Sequence, residues 1–509
     1  MPENIESGER QAASPGTIDV TGEALPPVPG PSKSKTPQFW ITIVGLSLLA
    51  FVSALDVMII TTALPTIVKR YRRIHAVSLF SGAAYNATMI IAGRTVQGVG
   101  AGGIYVLIDI VCCDLVPLRD RGTYLAIVNS WAGIAAALGP VLGGALGERH
   151  WRWIFYMNLP ICALPLATIS LFMNAKTGNG APSLRNLDYL GNFIFIPSMI
   201  AILFGLIAGG SEYPWASWHI IVPLTLGAVG WIGFHIQQHF FASNPSVPTR
   251  LFSNRTSAIG YALTFLGSLL LQEAGLFLPV YFQAVLDTTV FDSGIYFLPL
   301  AIGTLFSAAI AGILLSKFGV YRPLHAATFG LSTLAYGLFT LLDRDTPKVA
   351  GAFFELIIAG GLGMTISVIL PAILAALPES DVASGTAAFS FIKTFGFVWG
   401  VTIPSIIFNA VFNTNLSLIS SSDLRKQLEN GQAYSFASRV HNVSAMVDQN
   451  VWDEVVQVYI TSLRAIWWFG LGVSSVAFLL VGGERGLELS TELKTEYGLE
   501  DMSRVSNTQ

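Results

Sequence analysis

Charge is what this chain of 509 residues has little of: 28 Lys and Arg with 31 Asp and Glu amount to 12%, against roughly 25% in soluble domains. So uncharged a surface cannot be kept in water, which excludes a soluble enzyme. With a net charge of −3, no nucleic-acid partner is expected. Cysteine is scarce too: Cys112, Cys113 and Cys162 all lie in apolar stretches, at spacings that suit neither a metal site nor a disulfide-stapled secreted protein. Each is expected to be a small buried apolar group. The 7 histidines are scattered, with no Ser/His or Cys/His constellation, so no catalytic residues, cofactor or metal are expected.

What is abundant is apolar. Hydrophobic residues make 52% of the chain, the mean hydropathy is +0.60, and 49 Gly and 32 Phe suit helices that pack closely and fill a lipid face. At about 20 residues per span the length accommodates roughly a dozen membrane helices, so an all-α polytopic membrane protein in a lipid bilayer is predicted. Apolar stretches run at 39–64, 95–115, 124–147, 154–173, 188–209, 219–241, 257–285, 294–316, 323–342, 349–377, 385–412 and 459–481. A further segment, 76–92, is short and carries Ser78, Ser81, Asn86 and Thr88. If it does not cross, the loops holding Arg119 and Arg121, Lys176 and Arg185, Arg250 and Arg255, and Lys317 and Arg322 all fall inside. So does the tail with Arg485, while the loops 210–218 and 286–293, free of Lys and Arg, fall outside. Crossing would invert that pattern, which favours twelve spans. The stretch before residue 38, rich in Pro, Ser and Gly, and the polar tail 483–509 read as cytosolic. The long loop 413–458 is placed outside; it contains the glycosylation pattern at Asn442, and a second at Asn415 sits close to the membrane.

Charged groups within spans are expensive, so each is a functional candidate that either faces a polar cavity or pairs with another. They are Asp56, Arg94, Asp109, Asp114, Glu273, Glu355 and Lys393. Asp56 lies at membrane depth in LDVMIITTALP, where a carboxyl group can exchange a proton or meet a cationic substrate. Asp114, near a helix end beside Pro117 and Arg119, reads as a cap or loop contact. Arg94 and Gln97, three apart, share one helix face in GRTVQGVGAGG. The permanent cation is expected to influence a nearby carboxylate. Gly98 and Gly102, with Gly100 and Gly103, are expected to let a neighbouring helix approach closely. In GIAAALGPVLGG, Gly133, Gly139, Pro140, Gly143 and Gly144 build a weak point at which a helix can bend or pack tightly. Pocket candidates among the polar and aromatic residues are Trp131, Gln272, Tyr281, Gln283, Phe389, Phe395 and Trp399, whereas Trp151, Trp153, Trp215 and Trp218 fit an interfacial belt.

Three strings carry a family likeness. LDVMIITTALPTIV (55–68), GRTVQGVGAGG (93–103) and NSWAGIAAALGPVLGG (129–144) resemble the first-span, fourth-span basic and fifth-span antiporter motifs of the major facilitator superfamily, in its fungal fourteen-span drug:proton antiporter branch. WRWIFYMNLPI, LDYLG, FLPVYFQAVL and FGFVWGVTIPSIIFN continue the likeness in order along the chain. The resemblance implies two helical bundles (38–174 and 242–482) around a central cavity, linker spans at 175–241, and proton-coupled export of small amphipathic compounds such as drugs or fungal toxins. It also implies a monomer in the plasma membrane, with the vacuolar membrane as the alternative. Asp56, Arg94 and Gln97 would then serve proton coupling, Gly139 and Pro140 the hinge, and Asp109, Glu273, Glu355, Lys393 and Trp399 the cavity. One departure is large: the family's second span, most of the G-x-L-A-D-x-x-G-R-R loop and part of its third span have no counterpart here. Leu64–Val68 runs almost directly into Lys69-Arg70-Tyr71-Arg72-Arg73. A deleted coding segment or a degenerate, non-transporting copy would account for it.

Overall fold

The computed structural model describes residues 37–70, 74–75, 84–85, 87–150, 156–172, 188–210, 212–242, 245–444 and 446–489; the side chains of 56–92, 94, 132, 136–137, 139–150, 159, 169, 172 and 442 lie outside that description. In chain order, α1 (Pro37–Arg70) leads to a small antiparallel ladder of β1 (Ile74–His75) and β2 (Ala84–Tyr85). Helices α2 (Ala87–Leu115), α3 (Arg121–His150), α4 (Asn158–Phe172), α5 (Tyr189–Ala208) and α6 (Trp218–Phe240) follow. The remainder comprises α7 (Arg255–Ala284), the short α8 (Val290–Tyr296), α9 (Leu298–Phe318), α10 (Arg322–Phe339), α11 (Lys348–Ala375) and α12 (Val382–Asn415). Three short helices, α13 (Ser422–Leu428), α14 (Gln432–Ala437) and α15 (Val440–Ser444), precede the last long one, α16 (Gln449–Val481).

Each predicted span falls on a long helix, but the strict count is lower than twelve: among the described residues, 9 helices are long and apolar enough to cross a membrane. Part of the difference is one of described extent: α4 is described over 15 residues, and those that follow Phe172 lie outside the description. Helix α10 has only 18 and begins with Arg322 and His325. The second half of α3 falls outside the described side chains. Proline occurs inside α5, α6, α7, α11 and α12, and Pro371 and Pro404 are buried among neighbouring helices.

Packing divides the helices into three groups. Helices α7, α9, α10, α11, α12 and α16 pack on one another as a bundle of six. One part of its core is aromatic, with Phe408 between Phe277 (ring centroids 5.7 Å) and Phe412 (5.5 Å), and Trp467 5.1 Å from Phe339. Close approach in that bundle is set by glycine: a Cβ at Gly396 of α12 would stand 2.6 Å from the Phe265 carbonyl of α7. The linker pair α5 and α6 packs on itself and reaches α12, with Phe195 5.6 Å from Phe391. Its remaining surface is apolar and open, Phe193 at 78% and Val229 at 67%, as lipid-facing helices require. The first group holds four long helices: α1 packs on α3, α4 and α2, with Phe39 edge-on to Tyr124 at 5.3 Å.

The loops sort to two ends. One end gathers Arg119, Ser316, Tyr321, Arg250, Asp381 and Arg485; the other gathers Tyr281 with Asp343, Asp287 with Ser444, and the folded loop 416–448. Helix polarity thus sets Arg119, Arg250, Arg322 and Arg485 together at one end, the end that the charge rule takes for the inner side.

Two sequence expectations are corrected. Cys112 and Cys113 are fully buried, but Cys162 is exposed on α4, a helix whose main partner is α1 and whose Leu164 and Leu166 face outward as well. Among the described residues the glycine strip on α2 meets no neighbour: a Cβ at Gly98, Gly100, Gly102 or Gly103 would find nothing within 4 Å. The helix that such a strip would receive is not among the described elements.

Candidate functional site

The two helical groups touch along two seams. On one, α3 lies on α9 and α11: Gly122 stands so close that a Cβ would be 2.6 Å from the Ser367 carbonyl, and one at Gly312 would be 2.8 Å from the Thr123 Cα. Gly133 belongs to this seam, since a Cβ there would run into the Leu305 side chain. On the other seam, α2 lies on α12, and it is there that charge is concentrated.

Asp109 of α2 is 2% exposed, and the Lys393 ammonium of α12 donates to its Oδ2 at 3.0 Å. Ser390, one helical turn before Lys393, donates to the same oxygen at 2.8 Å. The ammonium also lies 5.2 Å from the centroid of the Phe389 ring. A carboxylate at this depth is therefore held by a cation and a hydroxyl, both supplied by the opposite helical group. Trp399, further along α12, stacks edge-on to Phe395 at 6.0 Å and keeps its buried indole N–H without a hydrogen-bond acceptor among the described residues.

The other in-span charges sit elsewhere. Glu273 of α7 is fully buried, and its two carboxyl oxygens have no hydrogen-bond partner among the described residues. It faces the Gly470 position of α16, beside the Tyr336 ring, inside the bundle of six. Glu355 of α11 accepts the Leu300 N–H at 3.3 Å, which caps an otherwise orphaned amide in the first turn of α9. Asp114 is half-buried at the end of α2. Gln97 is half-buried on α2, twelve residues from Asp109 and hence about 18 Å along the helix axis. The two do not form one centre. The side chains of Asp56, Arg94, Gly139, Pro140, Gly143, Gly144 and Asn442 lie outside the described residues. Asn415 ends α12 and donates its amide to the Val411 carbonyl at 2.8 Å.

The inner end holds contacts that sequence reasoning missed. Arg119, in the loop between α2 and α3, donates to the carbonyls of Ser316 and Lys317 at 2.6 Å each, closing the end of α9 where cations are favoured. Asp120 accepts from Ser316. Arg250 pairs with Asp381 through both carboxylate oxygens, which raises the guanidinium above its already high range. His325 Nδ1 lies 2.9 Å from both oxygens of Glu484, the pair being wholly buried. Burial raises the Tyr321 phenol, which keeps its proton and donates to the Arg485 carbonyl. The tail from 482 to 489 is thus tied onto the bundle of six. No local signal marks these pairs, because 159 or more residues separate the partners at His325–Glu484 and at Arg119–Ser316.

A helical membrane protein with a buried ion pair across the seam of two helix groups is the class that these observations define. Residues 74–401 match the family described as Major Facilitator Superfamily. Similar proteins include the MFS efflux transporter aclA of Aspergillus oryzae, 38% identical over 91% of this chain and 92% of its own length. The MFS-type efflux pump LUC4 of Fusarium sp is 36% identical over 98% and 97%. The Acurin A biosynthesis cluster MFS-type transporter of Aspergillus aculeatus is 37% identical over 91% and 92%. The chain belongs to the major facilitator superfamily, a family of multi-pass membrane transporters rather than of enzymes. The alignment with the Fusarium protein runs over 549 positions yet takes in 98% of these 509 residues, so at about 50 positions this chain contributes none. The family match begins at residue 74, directly after Arg73.

Proposed function

We propose that this protein exports small amphipathic organic molecules of the secondary-metabolite kind across a membrane in exchange for protons. The observation that carries the reading is the pair of Asp109 with Lys393, which joins the two helical groups across α2 and α12. Alternating access needs those groups to part on one side and meet on the other. While Lys393 and Ser390 hold Asp109, α12 is tied to α2. The coupling to protons is assigned to the making and breaking of that tie. The names of the relatives support efflux, and one of them belongs to a biosynthesis cluster. Arg94 and Gln97 take part by setting the potential along α2, and Gly139 and Pro140 by letting α3 bend.

Proteoliposomes containing the protein are expected to accumulate a fluorescent amphipathic dye when a proton gradient is imposed and to stop when it is collapsed. Asp109→Asn should abolish gradient-driven movement while the protein still inserts, and Arg94→Ala should reduce it at least tenfold. Gradient-driven transport at wild-type rate in Asp109→Asn would remove the carboxylate from the mechanism. The about 50 alignment positions at which this chain contributes no residue, taken with the departure from the family pattern after Val68, favour a second reading, a chain that inserts but does not transport because part of its first helical group is missing. Under it, no dye moves with this chain, whereas a version carrying the corresponding stretch of a relative is active.

A further inference from the structure

At the end of the molecule that the charge rule places outside, a cavity of about 470 Å³ opens where three parts of the chain meet. The linker helix α5 supplies Phe204, Ile207 and Ala208, and the turn after it supplies Glu212. Helices α7 and α12 supply Phe277, Ser405, Phe408 and Asn409, and the outer loop closes over them with Asn430, Gly431, Gln432 and Tyr434. The volume is that of a site for a drug-sized molecule. The seam at Asp109 is a different place, since none of these residues lies on α2 or α3.

The wall has a definite chemistry. Four aromatic rings, Phe204, Phe277, Phe408 and Tyr434, line it, with Phe277 and Tyr434 edge to face at 6.0 Å. Glu212 is the single charged group in the lining, and no Lys or Arg joins it. Serine and amide side chains fill the polar remainder. Aromatic faces and a carboxylate together attract organic cations, whereas an anion would meet the Glu212 charge and the negative faces of the rings.

The outer loop is built to hold this wall in place. Asn430 and Gly431 both take left-handed backbone conformations, φ +57° and +77°, turning the chain sharply before α14. Behind the turn, Tyr459 of α16 donates to the Ala433 carbonyl at 2.7 Å, and Leu428 and Val440 are wholly buried. The loop is therefore anchored on the bundle of six, while the facing wall belongs to the linker pair, which packs on that bundle where α5 meets α12.

We propose that this cavity is an outer vestibule that binds amphipathic monovalent organic cations with an aromatic body, with Glu212 selecting the charge. The assignment deepens the export reading and rests on it for the direction of traffic, but binding can be measured without transport. Tetraphenylphosphonium and tetraphenylborate are probes of the same shape and opposite charge. With the full chain in nanodiscs of uncharged lipid, the phosphonium is expected to bind at least tenfold more tightly than the borate. Glu212→Gln should weaken phosphonium binding about tenfold and leave the borate unchanged, Glu212→Lys should reverse the preference, and Tyr434→Ala should weaken both. Glu212 and Tyr434 are exposed, so these variants are expected to elute as wild type in size-exclusion chromatography. Unchanged phosphonium affinity in Glu212→Lys overturns the site, and so does equal weakening of both probes by Glu212→Gln. If binding follows the expectation while proteoliposomes move no dye, the export reading fails and the vestibule stands; the converse result rejects the vestibule alone.

Discussion

Asp109 and Lys393 are expensive to separate. An ion pair buried between helices contributes little net stability relative to apolar side chains, yet removing one partner strands the other charge at a cost of about 3–5 kcal/mol. Lys393→Met is therefore expected to lower the thermal stability of the purified protein markedly, because Asp109 keeps only the Ser390 hydroxyl. Adding Asp109→Asn to Lys393→Met should recover most of that loss but none of the gradient-driven transport. A melting-temperature cycle over wild type, both single variants and the double variant reads the coupling, and additive shifts would show that the pair does not act as one. Both residues were legible as in-span charges, but their pairing was not. Lys393 and Asp109 are 284 residues apart, and nothing in the sequence selects one partner over Glu273 or Glu355. Ser390 escaped notice because a serine inside a membrane helix usually returns its hydroxyl to its own backbone, as Ser405 does to Val401.

The helices themselves were the easiest part to read, since a bilayer forces long apolar runs, and their boundaries follow the hydropathy. Which glycines matter was harder. GRTVQGVGAGG has the look of a close-packing strip, but its glycines stand open, whereas Gly122, Gly312 and Gly396 each sit against a neighbouring backbone. Isolated glycines in apolar helices carry no periodic signal, and their role depends on where a distant helix crosses. At the crossing of α3 and α9, Gly312→Val would place two extra carbons beyond a Cβ position already 2.8 Å from the Thr123 Cα. Overpacking of that kind costs about 1–3 kcal/mol in a close-packed interior, and here it also wedges the two helical groups apart. Gly312→Val is expected to melt lower and to label more readily at a cysteine placed at Thr123. Gly98→Val, on the open strip, should do neither. Equal behaviour of the two variants would mean that α3 and α9 do not meet through these glycines.

On the scale of the whole molecule, the bundle of six faces a group of only four helices among the described residues, with the linker pair between them in chain order. The about 50 alignment positions without a counterpart here suffice for two membrane helices at ~20 residues each. The short ladder of β1 with β2 comes between α1 and α2, in the region where the sequence departs from the family pattern. The open glycine strip on α2 has the shape that a returning helix would cover: Val96 and Val99 beside it are 68% and 76% exposed, and small residues line the face. If the missing stretch restores that neighbour, a cysteine at Gly100 should react readily with a membrane-permeant maleimide in the present chain. It should become protected in a chimera into which the corresponding segment of a relative is inserted after Arg70. A cysteine at Val229, on the lipid face of α6, serves as the control that labels in both. Protection at position 100 together with recovered dye transport would identify the four-helix group as an incomplete bundle, whereas labelling that stays equal in the two chains would show that the strip faces lipid in the complete fold as well.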